Sequence, residues 1–187
     1  MPLDVIRASQ GTLTRLWRSI DAEIRKRERC EAHSTGRRRA AKMAAASGAE
    51  LSRPPRRMYS CGFVPPKIER KGASFVELLQ KYIREKCDGK ASLAYKAARI
   101  DRASYSMMIS NWRKGRGVLK RTAVAYAFAL RLDLDQAIEL ISAAGYSLTN
   151  WIDEDLVFMQ CFKMGMLHPD DVNLALAHYN CSPLFKA

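Results

Sequence analysis

Histidine is scarce in this chain of 187 residues. His178 and Cys181 are three residues apart, but no second pair lies near enough to complete a zinc site with four ligands. A phosphate-binding loop is missing too, since Gly115-Arg-Gly117 lacks the rest of that motif. Cys87, Cys161 and Cys181 have no histidine that the sequence places beside them. We therefore expect no metal, no cofactor, no small-molecule substrate and no catalytic residue, and a protein that is not an enzyme.

Paired cysteines and long apolar runs are lacking as well. The five cysteines are an odd number, widely spaced, without a CxxC pair. This predicts free thiols in a reducing compartment, which we take to be the cytoplasm. No apolar run approaches the ~20 residues needed to cross a bilayer, and Asp4 interrupts any signal-peptide core. We expect no association with a membrane.

Negative charge is almost missing from residues 90–121, although the chain as a whole carries a net charge of +13. This stretch has nine Lys/Arg and one acid, Asp101. The 66 residues that follow have three Lys/Arg and eight Asp/Glu. A folded segment with one basic face and an acidic remainder predicts a surface for a polyanion.

Composition divides the chain into three predicted parts. Residues 1–33 could form an amphipathic, basic helix, with Leu13, Leu16, Trp17, Ile20 and Ile24 at helical spacing. Residues 34–73 are predicted to be a flexible linker, since they combine an arginine run, an Ala/Gly/Ser stretch and several prolines. Residues 74–187 are predicted to fold as a compact all-α bundle of about seven short helices that contains a helix-turn-helix.

Three interpretations of the basic N-terminal extension stay open. It could be a disordered, solvated extension, or a basic arm that adds non-specific phosphate contacts. Alternatively, translation could begin at Met43 or Met58. A transit peptide would suit an Arg-rich start, but Asp4, Asp21 and Glu23 count against it.

Capping signals delimit the helices of residues 74–187. Ser74 with Glu77 and Asp133 with Gln136 form two capping boxes. Pro169 suits the first position of the last helix, after His168. Thr149 or Asn150 is expected to cap the helix before it. The helix from Lys120 to Leu130 is almost entirely apolar and is predicted to be the buried centre of the domain.

The basic stretch contains the predicted helix-turn-helix. A helix near residues 92–98 is followed by a short turn and by a helix from Arg102 to about Asn111, with Asp101 as its N-cap. In that arrangement the start of the second helix faces the major groove of DNA. Tyr105 and Ile109 are expected on its inner face, and Trp112 is expected to be exposed near the DNA. The predicted contacts with bases or phosphates are made by Arg102, Ser104, Ser106, Asn111, Arg113, Lys114, Arg116, Lys120 and Arg121.

A family resemblance supports this prediction. The strings YKAARIDRASYSMMIS and KRTAVAYAFALRLDLDQAIELISAAGYSL carry most of it, within residues of about 74–184. This segment resembles a small bacterial helix-turn-helix family related distantly to the lambda repressor/Cro group. The resemblance implies a DNA-binding protein, with double-stranded DNA as its partner and regulation of transcription as its function. Two features depart from the pattern: the long N-terminal extension, and the missing glutamine that would bind a phosphate from the first helix of the motif.

The alternative function is a non-catalytic protein-interaction or regulatory adaptor for a neighbouring enzyme. The acidic helices after residue 133 would then form the partner surface. Six large apolar residues supply more area than a minimal domain requires, and some of it could form a homodimer interface: Trp151, Phe158, Phe162, Leu167, Leu174 and Leu176.

Overall fold

The computed structural model describes residues 8–46 and 74–186, with side chains for 8–32 and 74–186. Within these ranges the chain is all-helical and contains no strand, as predicted. The helices are α1 (Gln10–Ala46), α2 (Phe75–Cys87), α3 (Ala91–Ala97), α4 (Arg102–Arg113), α5 (Lys120–Ala129), α6 (Leu134–Ala143), α7 (Asp153–Lys163) and α8 (Pro169–His178).

The predicted caps determine where most of these helices begin. The Glu77 carboxylate accepts a hydrogen bond from the Ser74 backbone at 2.7 Å, and the Ser74 hydroxyl accepts one from the Glu77 backbone. Asp133 and Gln136 exchange the equivalent bonds at the start of α6. Both capping boxes are therefore confirmed. They satisfy backbone donors that the first helical turn leaves without partners.

The predicted cap of α7 is wrong. The helix begins at Asp153 with Ile152 in the N-cap position. Thr149 instead donates from its backbone and its hydroxyl to the Asp155 carboxylate, at 3.0 and 3.3 Å. A charged acceptor forms stronger hydrogen bonds than a neutral one, so Asp155 takes the donors of Thr149 from inside the helix. At α8 the prediction is confirmed, since the His168 ring accepts from the Asp170 backbone at 3.2 Å.

Helix α5 forms the centre of the core, as its composition predicts. Residues Ala123 to Leu130 are all buried. Phe128 stacks on Phe162 with ring centroids 4.0 Å apart, and its ring also meets Phe158 and Phe185 edge-on. The small alanines of α5 let neighbouring helices approach, and the aromatic rings fill the remaining volume.

The first turns of α1 belong to the same compact unit as residues Gly72–Ala187. Leu13, Leu16 and Ile20 are buried. The Trp17 ring stacks on His178 with centroids 4.4 Å apart, and the Tyr179 hydroxyl donates to Asp21 at 2.9 Å. The amphipathic pattern of residues 13–20 therefore marks a face that packs against the domain.

Helix α1 continues to Ala46, so the prediction of a linker from residue 34 onwards begins too early. Residues 40–46 are mainly alanine, which has the highest helix propensity, and the prolines that suggested a linker come later. Residues 47–73 lie outside the described ranges. Residues Ile24–Lys71 form a second unit. No helix described is long and apolar enough to cross a membrane.

Candidate nucleic-acid interface

The chain changes direction between α3 and α4 within residues 98–101. Arg99 adopts a positive φ of 51°, and the Ile100 backbone donates to the Tyr95 carbonyl at 2.8 Å. Asp101 then caps α4 by accepting hydrogen bonds from the backbone and the hydroxyl of Ser104, both at 2.7 Å. These bonds stabilise the ionised carboxylate and lower the pKa of Asp101. The predicted N-cap is confirmed, and the two helices that flank the turn begin and end within two residues of the predicted bounds.

Aromatic contacts hold α4 at the edge of the core. No residue of α4 is fully buried. The Tyr105 ring lies 5.6 Å from that of Tyr95 and 6.2 Å from that of Tyr126. Trp112, expected to be exposed, is half-buried against Phe75 with ring centroids 5.5 Å apart. The helix therefore keeps most of its surface available to a partner.

The predicted contact residues on α4 and in the loop after it are largely exposed. Arg102, Ser106, Arg113, Lys114 and Arg116 all face solvent. Among the described residues, no carboxylate forms an ion pair with any of these arginines or with Lys114. We call Arg102, Arg113, Lys114 and Arg116 the cationic α4 surface.

Two of the predicted polar contacts have structural tasks. The Ser104 hydroxyl donates to Asp101, so it completes the cap of α4. Asn111 is half-buried, and its backbone carbonyl accepts from the backbones of Lys114 and Arg116 at 3.1 and 2.9 Å. The main chain at Asn111 thereby shapes the loop that presents these two cations.

Lys120 and Arg121, predicted to bind phosphates, form ion pairs within the protein instead. The Lys120 ammonium lies 2.6 and 2.7 Å from the two carboxylate oxygens of Asp155, which is only 1% exposed. Arg121 pairs with Glu154 at 2.8 Å and donates to the carbonyls of Ser182 and Pro183. Both side chains link α5 to α7 or to the C-terminal tail. We leave them out of the candidate interface.

The sequence alone does not reveal the partner of Lys120. Asp155 lies in the first turn of α7, where a carboxylate is expected from the helix dipole alone. Its two acidic neighbours, Asp153 and Glu154, are not fully buried, but Asp155 is. The apolar residues that follow Asp155 could have indicated that it lies on a buried face. A carboxylate on the buried face of a helix needs a cationic partner.

Most histidine and cysteine side chains in the ranges described take part in packing or hydrogen bonds. No group of three or more His, Cys, Asp or Glu side chains could hold a metal ion there. The His178 ring stacks on Trp17, and the Cys181 thiol donates a hydrogen bond to the Tyr179 carbonyl at 3.5 Å. Burial raises the pKa of Cys161 to about 12, so its thiol stays protonated near neutrality. Cys61 and the side chain of His33 lie outside the described residues.

Comparison with known proteins returned no match. No protein-family model, no curated protein and no solved structure is similar to this chain. The function of the protein has therefore to be inferred from the geometry of the cationic α4 surface.

Proposed function

We propose that this protein binds double-stranded DNA through a helix-turn-helix formed by α3 and α4, and that it regulates transcription. The observation that carries the proposal is the cationic α4 surface, whose four charges are exposed and unpaired by any carboxylate in the described ranges. Phosphate contacts from such cations supply most of the affinity of proteins for DNA.

The positions of these charges suit a duplex. Arg102 and Arg113 stand at the two ends of α4, about 16 Å apart along the axis at 1.5 Å per residue. The major groove is roughly 12 Å wide. A helix lying in the groove could therefore direct its end charges towards phosphates on either side, while Ser106 and the exposed Met107 face the bases.

The contacts favour affinity over sequence discrimination. Arg102 is the one exposed side chain of the first turn of α4 that could bond two atoms of a guanine edge. Arg113, Lys114 and Arg116 lie at the end of the helix or beyond it, where they suit phosphates. Phosphate contacts fix position without selecting sequence. We infer a protein with substantial non-specific affinity and a modest preference for particular sites.

The test is a titration of the full chain with fluorescent duplexes of several sequences. Replacing Arg113, Lys114 and Arg116 with alanine should weaken binding about tenfold or more on every duplex, since each loses a charge-assisted bond to phosphate. A matched control replaces Lys81, Arg84 and Lys86, which are exposed on α2, and removes the same charge. Equal losses in the two variants would show that only net charge matters and would overturn this interface.

The adaptor alternative has one structural observation in its favour. Trp151 is 65% exposed and Ile152 is 50% exposed, side by side before α7. Of the other apolar residues proposed for a partner surface, Phe158, Phe162 and Leu176 belong to the core and Leu174 is exposed. If the full chain fails to bind any duplex at low salt, this apolar site becomes the better candidate for function.

A further inference from the structure

A groove of about 460 Å³ runs beside α4. It is lined by the turn before α4, one side of α4, the loop at 117–119, residues 121–126 of α5 and the C-terminal tail. Its volume lies within the range of sites that bind small molecules, about 300–1,000 Å³. We call it the α4–α5 groove.

One polar group in the lining of this groove lacks a partner. The Tyr126 side chain is fully buried, and its hydroxyl has no hydrogen-bond partner among the described residues. A buried hydroxyl without a partner is costly, and native proteins rarely leave one. Burial, with smaller contributions from Tyr105 and Asp101, raises the pKa of Tyr126. The hydroxyl therefore stays protonated, and it can donate to an acceptor in the groove once the side chains that cover it shift.

The rest of the lining is mainly apolar. Met107, Met108, Val118, Leu119 and Leu184 contribute to its walls. Leu119 is 74% exposed and Met107 is 60% exposed, so a bound molecule would remove apolar surface from water. Methionine side chains are flexible and adapt to different ligand shapes.

The charge nearest the Tyr126 hydroxyl disfavours an anionic acceptor there. Three cations line the groove: Arg99 is paired with Asp170 at 2.6 Å, Arg121 is paired with Glu154 at 2.8 Å, and Lys186 is exposed on the C-terminal tail. The Asp101 carboxylate also lines the groove and acts electrostatically on the Tyr126 hydroxyl. A second negative charge at that hydroxyl would be repelled.

We propose that the α4–α5 groove binds a small, largely apolar molecule whose uncharged carbonyl oxygen accepts a hydrogen bond from the Tyr126 hydroxyl. The site depends only on the groove and does not require that the protein bind DNA. It differs from the cationic α4 surface, since the groove lining includes none of the four cations that define that surface.

The test uses benzylacetone, an aromatic ketone, as the probe for the full chain in solution. Amide chemical shifts should change saturably at residues that line the groove. Replacing Tyr126 with Phe removes only the donor and should weaken the binding of benzylacetone about two- to tenfold, the range expected for one hydrogen bond. Butylbenzene, which has no carbonyl, should bind the wild type and this variant equally.

Two controls separate this hydrogen bond from general apolar binding and from charge. Tyr95→Phe removes a hydroxyl from a tyrosine outside the groove lining and should leave the affinity for benzylacetone unchanged. Hydrocinnamate, a carboxylate of similar shape, should bind more weakly than the ketone. The proposal is overturned if benzylacetone shifts no groove amide, if Tyr126→Phe binds it as tightly as the wild type, or if hydrocinnamate binds as well as the ketone.

Discussion

Lys120 is a single side chain whose role changes once its partner is known. From the sequence it is one of nine cations in a basic stretch. In the structure its ammonium contacts both carboxylate oxygens of Asp155. The Thr149 backbone donates a hydrogen bond to one of these oxygens at 3.0 Å. Burying a carboxylate is tolerated only when a cation and hydrogen bonds compensate for lost water. The pair therefore joins α5 to α7, a long-range contact that periodicity along one helix does not predict.

Replacing Lys120 with Met should destabilise the protein by about 3 kcal/mol, because it leaves a buried carboxylate without its cation. Asp155→Asn should cost less, since the Lys120 side chain is 25% exposed and can turn towards water. Urea unfolding of the full chain measures both changes. Arg116→Met, at an exposed position, is the control and should leave the free energy of unfolding nearly unchanged. Equal stability of Lys120→Met and Arg116→Met would contradict this role.

Two buried tyrosines, Tyr82 and Tyr126, and the half-buried Tyr179 predict how stability depends on alkaline pH. Burial raises the pKa of Tyr82, Tyr126 and Tyr179 above the ordinary value, and hydrogen bonds to Glu139 and Asp21 add to the effect at Tyr82 and Tyr179. Above about pH 10 the unfolded chain releases these protons while the folded chain retains them. The free energy of unfolding therefore falls as pH rises beyond that point.

Absorbance of tyrosinate, followed together with far-ultraviolet circular dichroism, measures this linkage. Exposed tyrosines should ionise first, and a second group should ionise only as helical signal is lost. Ionisation of every tyrosine in one step near pH 10, with the helices intact, would contradict the raised pKa of these three residues.

At the scale of elements, sequence signals located most helices because the signals are local. Capping boxes at Ser74 and Asp133, and the apolar composition of α5, each depend on a few neighbouring residues. The start of α7 was misplaced because Asp155 draws Thr149 out of a capping role. The end of α1 was predicted too early because the linker, suggested by the prolines after residue 50, was taken to include the alanine-rich residues 40–46.

Helix α1 leads to a prediction about the N-terminal region. Leu16 and Ile20 have no exposed surface, and Ser19 hydrogen-bonds Gln160 of α7 at 3.2 Å. Replacing Leu16 with Ala should reduce the free energy of unfolding by about 3 kcal/mol, the usual cost of such a change in a core. Chemical unfolding measures it, with the exposed Arg18→Ala as the control.

An unchanged stability of Leu16→Ala would mean that this helix contributes nothing to the core. The alternative start sites at Met43 and Met58 would then stay open, since a chain beginning there loses nothing structural. A destabilised variant would instead show that residues 13–20 complete the domain.

At the scale of the whole molecule, the basic stretch divides into two groups of cations with different roles. The cationic α4 surface lies on a helix with no fully buried residue, whereas the cations at the start of α5 are used to hold the fold together. The charges counted along the sequence locate the basic region. They do not tell which Lys and Arg residues are exposed and which form ion pairs within the fold, since those pairs involve residues distant in the chain. The α4–α5 groove was missed for the same reason, because it combines residues 98–126 with the C-terminal tail.

The measurement that tests the central proposal most directly is the salt dependence of DNA binding by the full chain. The logarithm of the association constant should fall linearly with the logarithm of salt concentration, with a slope of about −0.9 for each phosphate neutralised. Replacing Arg113, Lys114 and Arg116 with alanine should reduce the magnitude of that slope by up to about 2.7, while the Lys81, Arg84 and Lys86 variant keeps the wild-type slope. A slope that the first variant leaves unchanged would contradict DNA binding through the cationic α4 surface.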